Sequence, residues 1–293
     1  ALDENINKLV LNDRSVSLNR ETSDALGQGW RLGFLGSLHA SVFKERLEKE
    51  YGSKLIITQP TVPYLVQYEG KEAKLITNPS EFPDSSSKHR TKILSLQEPF
   101  VKTTIILPNE YVGAVIQLCE NNRGQQLDVK YTSGINQVEL VYDLPLAQLI
   151  DDFFGQLKSI SHGFATLDYE SNGFKESDIV KLELLVNGQS LDALSHVVHR
   201  LQVQRLGREW VKKFKEYIRL QQYEVIIQSR CNGKIIARET IKARRKDVLA
   251  KLHASDVSRR KKLLAKQKEG KKNLKSVGNV TISQDAYQAF LRK

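Results

Sequence analysis

Apolar positions along the first part of the chain alternate between a helical and a strand period. Leu2, Ile6, Leu9 and Val10 recur at helical spacing up to Leu11, and a strand follows around Val16 and Leu18. The segment GQGWRLGFLG, from Gly27 to Gly36, reads as a glycine-punctuated strand and turn. A helix is expected from Ser37 to Tyr51, with the stripe Ala40, Phe43, Leu47 and Tyr51, closed by Gly52 as a left-handed cap. Strands are expected at Lys54 to Thr58 and Val62 to Gln67, the second bounded by prolines at its start. The polar stretch TNPSEFPDSSSKHRTK, Thr77 to Lys92, is rich in Pro, Ser and charge and reads as an exposed connector.

The alternation is cleaner in the next segment. A strand from Val101 to Leu107 leads through Pro108 into a helix with Val112, Val115, Ile116 and Cys119 on one face and Gly124 past its end. Strands at Leu127 to Tyr131 and Val138 to Tyr142, a helix from Leu146 to about Ile160 and a strand from Phe164 to Tyr169 complete a βαββαβ order. That order is the ferredoxin-like arrangement of two helices on one face of an antiparallel sheet. After Asp178 a strand, Val180 to Val186, turns at Asn187-Gly188 into a long helix through Trp210, Phe214 and Ile218. A hairpin pairs Tyr223 to Gln228 with Ile235 to Ile241 across Asn232-Gly233. Two helices then follow, with Ser255 placed to N-cap the second. If helical from Asp256 to Lys275, the second is about 30 Å long. Val257, Leu263, Leu264 and Leu274 are too few to bury a full face, so this helix is expected to project or to need a partner.

Charge changes the picture more than composition does. Residues 1–200 carry 20 basic and 26 acidic side chains, whereas residues 201–293 carry 25 and 8. Such segregation points to nucleic acid or an anionic membrane surface. It peaks between Lys242 and Lys275, where fourteen cations face only Asp247, Asp256 and Glu269. The candidate RNA-contacting residues are Lys242, Arg244, Arg245, Lys246, Lys251, Arg259, Arg260, Lys261, Lys262, Lys266, Lys268, Lys271, Lys272 and Lys275. Aromatic residues are sparse in the strip, so contacts to phosphates and RNA shape are expected rather than base stacking. A solvated tail is the plain alternative; the phase of Leu263 and Leu264, the cap at Ser255 and the break at Gly270 favour a helix with an end. No apolar run approaches the roughly 18 residues of a membrane span. Peripheral association with anionic lipid stays open as the competing function, that of a membrane or scaffold protein. Cys119 and Cys231 form no CxxC pair, which suggests neither a zinc site nor a disulfide framework and fits a reducing compartment. The chain opens at Ala1 without methionine and directly in a helical pattern, which reads as a fragment or a processed chain.

Three patterns invite chemistry. GQGWRLGFLG sits between a strand and a helix, where a phosphate-binding loop would sit, but it lacks a following Lys-Ser/Thr pair; tight backbone packing is the preferred reading. HGFATLDY, His162 to Tyr169, is similar to the RNA-stacking strand of RRM domains. It lacks the initial cation, has Thr166 at a stacking position and follows the second helix instead of preceding it, so a buried edge-to-core strand is preferred. Asp192, His196 and His199 stand at i, i+4 and i+7, a spacing that could present three metal ligands on one helix face; surface or RNA-facing imidazoles are preferred. Paired carboxylates, a Ser-His-Asp order or a Cys-His pair cannot be placed, so no catalytic site and no metal site are assigned.

Longer motifs carry a resemblance. GWRLGFLGSLHASVFKERLEKEYG (Gly29 to Gly52), EPFVKTTIILPNEYVGAVIQLCENNRG (Glu98 to Gly124), YDLPLAQLIDDFFGQLKSISHGFATLDYE (Tyr142 to Glu170), KIIARETIKARRKDVLAK and SRRKKLLAKQKEGKK together resemble the LepA translation factors, also called elongation factor four, with the mitochondrial members nearest. The resemblance implies an α+β chain: two ferredoxin-like βαββαβ domains followed by a basic α+β C-terminal domain with a long helix. Residues 1–76 would correspond to the third domain of elongation factor G, 77–97 to a linker, 98–178 to its fifth domain and 179–293 to the C-terminal domain peculiar to LepA. A connector from Glu69 to Gln97 has no room for the translocation domain that elongation factor G carries there. The family is a ribosome-dependent GTPase credited with back-translocation or remodelling of stalled ribosomes, and its C-terminal domain reaches toward the tRNA acceptor arm. The phosphate loop and switches are not in this sequence, so GTP and Mg are expected in a G domain outside it and no cofactor within it. The implied partners are ribosomal RNA and tRNA, the implied state a monomer, and the implied compartment the mitochondrial matrix, with a bacterial or other cytoplasm as the alternative. Ser37, Ala40-Ser41 and Leu252-His253-Ala254-Ser255 depart from the bacterial pattern.

Overall fold

The computed structural model describes residues 2–23, 27–53, 55–58, 60–83, 92–132, 136–218, 220–244, 257–277 and 284–291. The chain folds as two compact units, Ala1–Gln59 with Val180–Lys293, and Pro60–Ile179. It is α+β throughout.

The chain begins with α1 (Leu2–Asn12), an antiparallel pair β1 (Ser17–Ser23) and β2 (Gly27–Gly33), and α2 (Ser37–Lys49). Ile6 and Leu9 of α1, Val16, and Phe43 and Leu47 of α2 make its core, with Trp30 and Leu32 packed against them. Gly33 lies opposite Ser17 in the ladder, and a Cβ there would run into the Ser17 hydroxyl, so the glycine serves close packing. Gly52 takes φ +61° and the Ser53 N–H donates to the Leu47 carbonyl at 3.1 Å, which closes the helix as the pattern predicts. The strand expected at Lys54 to Thr58 does not form in the described residues 55–58. Leu55 packs against the helical core just described and Ile56 against a second core in the same unit, so the segment is fixed by its side chains.

The second unit contains β3 (Tyr64–Tyr68), β4 (Lys74–Ile76), β5 (Ile93–Pro108), α3 (Val112–Asn121), β6 (Gln125–Thr132), β7 (Gln137–Pro145), α4 (Leu146–Gln148), α5 (Phe154–Ile160) and β8 (Thr166–Glu176). The strands β8, β5, β7 and β6 lie side by side in that order, all antiparallel, the ferredoxin-like topology. The β3–β4 hairpin extends the same sheet, because Gln97 is paired with Leu65 on one side and Glu176 on the other. Two expectations are thereby corrected. The strand near Val62 to Gln67 pairs with β5 and not within the N-terminal segment, and residues 93–97 of the expected linker are the first part of β5. The helix expected from Leu146 to Ile160 is broken at Asp151 and Asp152, the latter at φ +89°, a positive φ that Asp adopts more readily than most residues.

Gly124 follows α3 so tightly that a Cβ would sit 2.8 Å from both the Cys119 carbonyl oxygen and Leu144 Cδ2. Gly124→Ala is therefore expected to cost about 1–3 kcal/mol, read by thermal or urea unfolding. Cys119 is fully buried in this core, and burial pushes its thiol from 9.0 up to about 12. The folded chain thus keeps the proton that the unfolded chain loses: the stabilisation is complete below pH 9 and is lost as pH rises toward 12. Urea titrations should show stability falling in that window, by at most about 1.4 kcal/mol per pH unit for this group, and less steeply in Cys119→Ala.

The remaining elements are β9 (Ile179–Val186), β10 (Gln189–Ser190), β11 (His196–His199), α6 (Val203–Tyr217), β12 (Val225–Cys231), β13 (Lys234–Ile241), α7 (Val257–Val277) and α8 (Gln284–Leu291). Both Asn-Gly turns take two consecutive left-handed residues: Asn187 and Gly188 at +49° and +87°, Asn232 and Gly233 at +47° and +73°. The first does not lead into a long helix as expected; β10, a short 3-10 turn, β11 and a second 3-10 turn intervene before α6 begins at Val203. Val211 and Phe214 of α6 pack on Val225, Ile227 and Leu184 of the sheet, and Tyr287 and Phe290 of α8 cover Phe214.

Candidate nucleic-acid interface

The basic strip leaves the sheet at the end of β13. Lys242 and Arg244 are both exposed, and the Arg244 backbone N–H donates to the Gln221 carbonyl at 2.7 Å, which ties the start of the strip to the body of the domain. Arg245, Lys246 and Lys251, and the expected cap at Ser255, lie outside the described residues. Arg259, Arg260, Lys261, Lys262, Lys266 and Lys268 are carried by α7, and the backbones of Lys271, Lys272 and Lys275 continue the same helix. At 1.5 Å per residue the helix is about 31 Å long. Arg260, Leu263, Leu264 and Gln267, at i, i+3, i+4 and i+7, form a narrow half-buried stripe, while Arg259, Lys261, Lys262, Lys266 and Lys268 are exposed around it. Cations therefore flank the stripe on both sides.

Pairing separates these cations from those of the rest of the chain. Arg123, Lys175 and Arg230 are matched to the buried carboxylates of Glu98, Asp143 and Glu183, and Lys102, Lys130 and Lys215 to Glu170, Glu139 and Glu239. Among the described residues no carboxylate pairs with Lys261, Lys262, Lys266 or Lys268. Like charges at i, i+4, such as Lys262 with Lys266, repel, and the first turn holds Arg259 and no acid, against the helix dipole. An arriving polyanion relieves both penalties.

The other candidates fall apart in three dimensions. Gly27–Gly33 of GQGWRLGFLG is an antiparallel strand whose Trp30 indole N–H donates to Asp3 Oδ1 at 2.5 Å and supports the Arg20 guanidinium 5.1 Å from its ring centroid; this does not fit a nucleotide phosphate loop. Asp192, His196 and His199 are not on one helix. Asp192 accepts from Ser23 Oγ at 3.0 Å, His196 packs edge-on against Trp210 at 4.9 Å, and His199 accepts from the Leu201 N–H at 3.3 Å. The i, i+4, i+7 spacing cannot distinguish a helix from a 3-10 turn followed by a strand. In HGFATLDY the strand starts only at Thr166, and Phe164, expected at the start of an edge-to-core strand, is 65% exposed and stacks on Tyr111. The open face of that sheet carries the cross-strand pairs Lys102–Glu170 and Lys130–Glu139 where an RRM presents stacking aromatics.

A second set of cations escaped the sequence reading. Arg208 and Lys212 stand one turn apart on the exposed face of α6, and no carboxylate among the described residues pairs with either; the neighbouring Arg205 and Lys215 are paired with Glu209 and Glu239. Their i, i+4 spacing was the available signal. It was diluted by the alternating acids Glu209 and Glu216.

Residues 95–185 match the family model for the elongation factor G C-terminus, and residues 186–292 match that for the GTP-binding protein LepA C-terminus. The ferredoxin-like sheet and the cationic domain are thus both translation-factor modules. Over all 293 residues the chain is 70% identical to "Translation factor GUF1, mitochondrial" of Lachancea thermotolerans, covering 46% of that protein. It is 68% identical to the protein of the same description from Saccharomyces cerevisiae (strain ATCC 204508 / S288c), covering 45%, and 66% identical to that of Kluyveromyces lactis, covering 46%. The chain belongs to the LepA family of translation factors and spans about half the length of the curated relatives it matches.

Proposed function

We propose that this chain is the ribosome- and tRNA-contacting C-terminal portion of a LepA-type translation factor, acting in the mitochondrial matrix on stalled ribosomes by back-translocation or remodelling. The observation that carries the reading is α7: a helix of about 31 Å with exposed cations on both sides of its half-buried stripe, on a domain of the LepA family. In this reading Lys242, Arg244, Arg245, Lys246, Lys251 and the α7 cations from Arg259 to Lys275 contact RNA phosphates. Residues 98–178 act as the fifth domain of elongation factor G does, the N-terminal part of the expected 1–76 domain, up to Gln59, as the third, and residues 179–293 as the RNA-probing domain. GTP and Mg belong to a G domain; the residues of this chain contribute RNA binding and orientation, not nucleotide chemistry.

The test is sedimentation of the chain with mitochondrial ribosomes over about 50–200 mM salt, where each phosphate contact contributes about 0.7–0.9 to the slope of log affinity against log salt. Steep salt dependence is the expected result, and salt-independent binding would contradict the proposal. Sedimentation with anionic liposomes in place of ribosomes tests the competing lipid reading, against which stands the narrow apolar stripe of Leu263 and Leu264.

A further inference from the structure

The Asn187-Gly188 turn is held against β12 from both directions. The Asn187 N–H donates to the Ile226 carbonyl at 2.8 Å, and the Ile226 N–H donates to Asn187 Oδ1 at 2.8 Å. The second bond fixes which end of the carboxamide faces which way, because a backbone N–H requires the oxygen. The other end, Nδ2, is then buried and without a hydrogen-bond partner among the described residues.

Asn187 lines a cleft of about 270 Å³ together with Gly188, Ile226, Gln228 and Arg238. Register explains why they converge: Gln228 lies directly opposite Arg238 on one side and Leu185 on the other, so β12 and β13 present them on one face of the sheet. Two residues along that face, Arg230 is engaged by Glu183 through Nε at 2.8 Å and Nη2 at 2.7 Å. Arg238 is exposed, and among the described residues no carboxylate pairs with it. The cleft lining therefore holds a guanidinium, two carboxamides and no acid. Gly188, at φ +87°, brings no side chain to its rim.

We propose that this cleft is a phosphate subsite for the RNA backbone, with the Arg238 fork and the Gln228 amide donating to the phosphate oxygens and the Asn187-Gly188 turn forming its wall. Guanidinium forks match phosphate oxygens two at a time. The volume lies below the roughly 300 Å³ at which small-molecule pockets begin, and it suits a phosphate group better than a whole nucleotide. The inference rests on the reading of the chain as RNA-binding and adds a site distant in sequence from α7. Free phosphate offers the same chemistry, so the experiment separates the two sources.

The 293-residue chain is titrated with short single-stranded and duplex RNA over about 50–200 mM salt, as wild type and as Arg238→Ala, Gln228→Leu and Asn187→Asp. Asn187→Asp keeps the oxygen that Ile226 needs and puts a negative charge at the wall that opposes an anion; should it unfold, Gln228→Leu tests the same cleft without touching the turn. Arg238→Ala is expected to bind RNA about tenfold more weakly at low salt, with a slope smaller by about 0.7–0.9, and an unchanged melting temperature. Wild-type RNA affinity and slope in all three variants overturn the subsite; if charge reversal in α7 still weakens RNA binding, the functional reading survives that failure. Weakening by the cleft variants with no effect of the α7 reversal supports the subsite and overturns the role of α7. Inorganic phosphate bound by wild type and lost in Arg238→Ala, with RNA affinity unchanged, overturns the RNA backbone as the occupant.

Discussion

Changing Arg259, Arg260, Lys261 and Lys262 together to glutamate should weaken binding to ribosomal RNA by on the order of 100-fold or more at about 50 mM salt, and reduce the salt slope by about 3. That magnitude corresponds to four phosphates no longer neutralised, before any repulsion from the new carboxylates. The variant separates binding from folding because its helical consequence has the opposite sign. Four acids in the first turns of α7 complement the helix dipole, where the native cations oppose it. Circular dichroism should therefore show helix content equal to or above that of the wild type while fluorescence anisotropy shows the loss of affinity. Equal affinity in variant and wild type would remove α7 from the interface. A neutral change of the same four residues to glutamine should give an intermediate slope, as counterion release requires.

The second large effect concerns stability, in the other unit. Arg123, held at φ +64° after α3, donates from Nη1 and Nη2 to the two carboxylate oxygens of Glu98 at 2.6 and 3.0 Å. Glu98 is almost fully buried at the start of the ferredoxin-like part of β5, and the Arg123 side chain is only 18% exposed. Removing one partner leaves a charge buried without its counter-charge, so Glu98→Gln or Arg123→Met alone should cost about 3–5 kcal/mol. For a unit of this size that corresponds to a fall of at least about 10 °C in melting temperature. The double change Glu98→Gln with Arg123→Met should recover much of the loss, because neither charge is then left buried. RNA affinity at low temperature should stay unchanged in all three. Similar single and double losses would show that the pair acts through packing alone.

How far the sequence could be read follows the range of the interactions involved. Gly52 as a helix cap, the helix over Val112–Asn121 and the Asn232-Gly233 hairpin were legible because their causes lie within a few residues: a left-handed φ, an i, i+4 stripe, a two-residue turn. The β3 strand was legible as a strand and misassigned as to its sheet, since nothing local tells Leu65 that its neighbour will be Gln97. Asp192, His196 and His199 had the spacing of a helix face and the structure of a 3-10 turn and a strand, because β11 is stabilised by pairing with β9. The cationic strip was legible as composition; the cleft at Asn187 was not, since its residues come from three segments and only register brings them together.

The sequence by itself therefore determined the α+β alternation, the segregation of charge toward the last third, the cationic helix and the family, all of which depend on local periodicity and residue type. The tertiary structure alone decided which cations are matched to buried carboxylates and which stay available. It also decided where β3 pairs, and that Gln228, Arg238 and Asn187 share a cleft. The reason is physical: pairing and register are set by strands meeting from distant parts of the chain, and a charge is available or neutralised according to what that meeting places beside it.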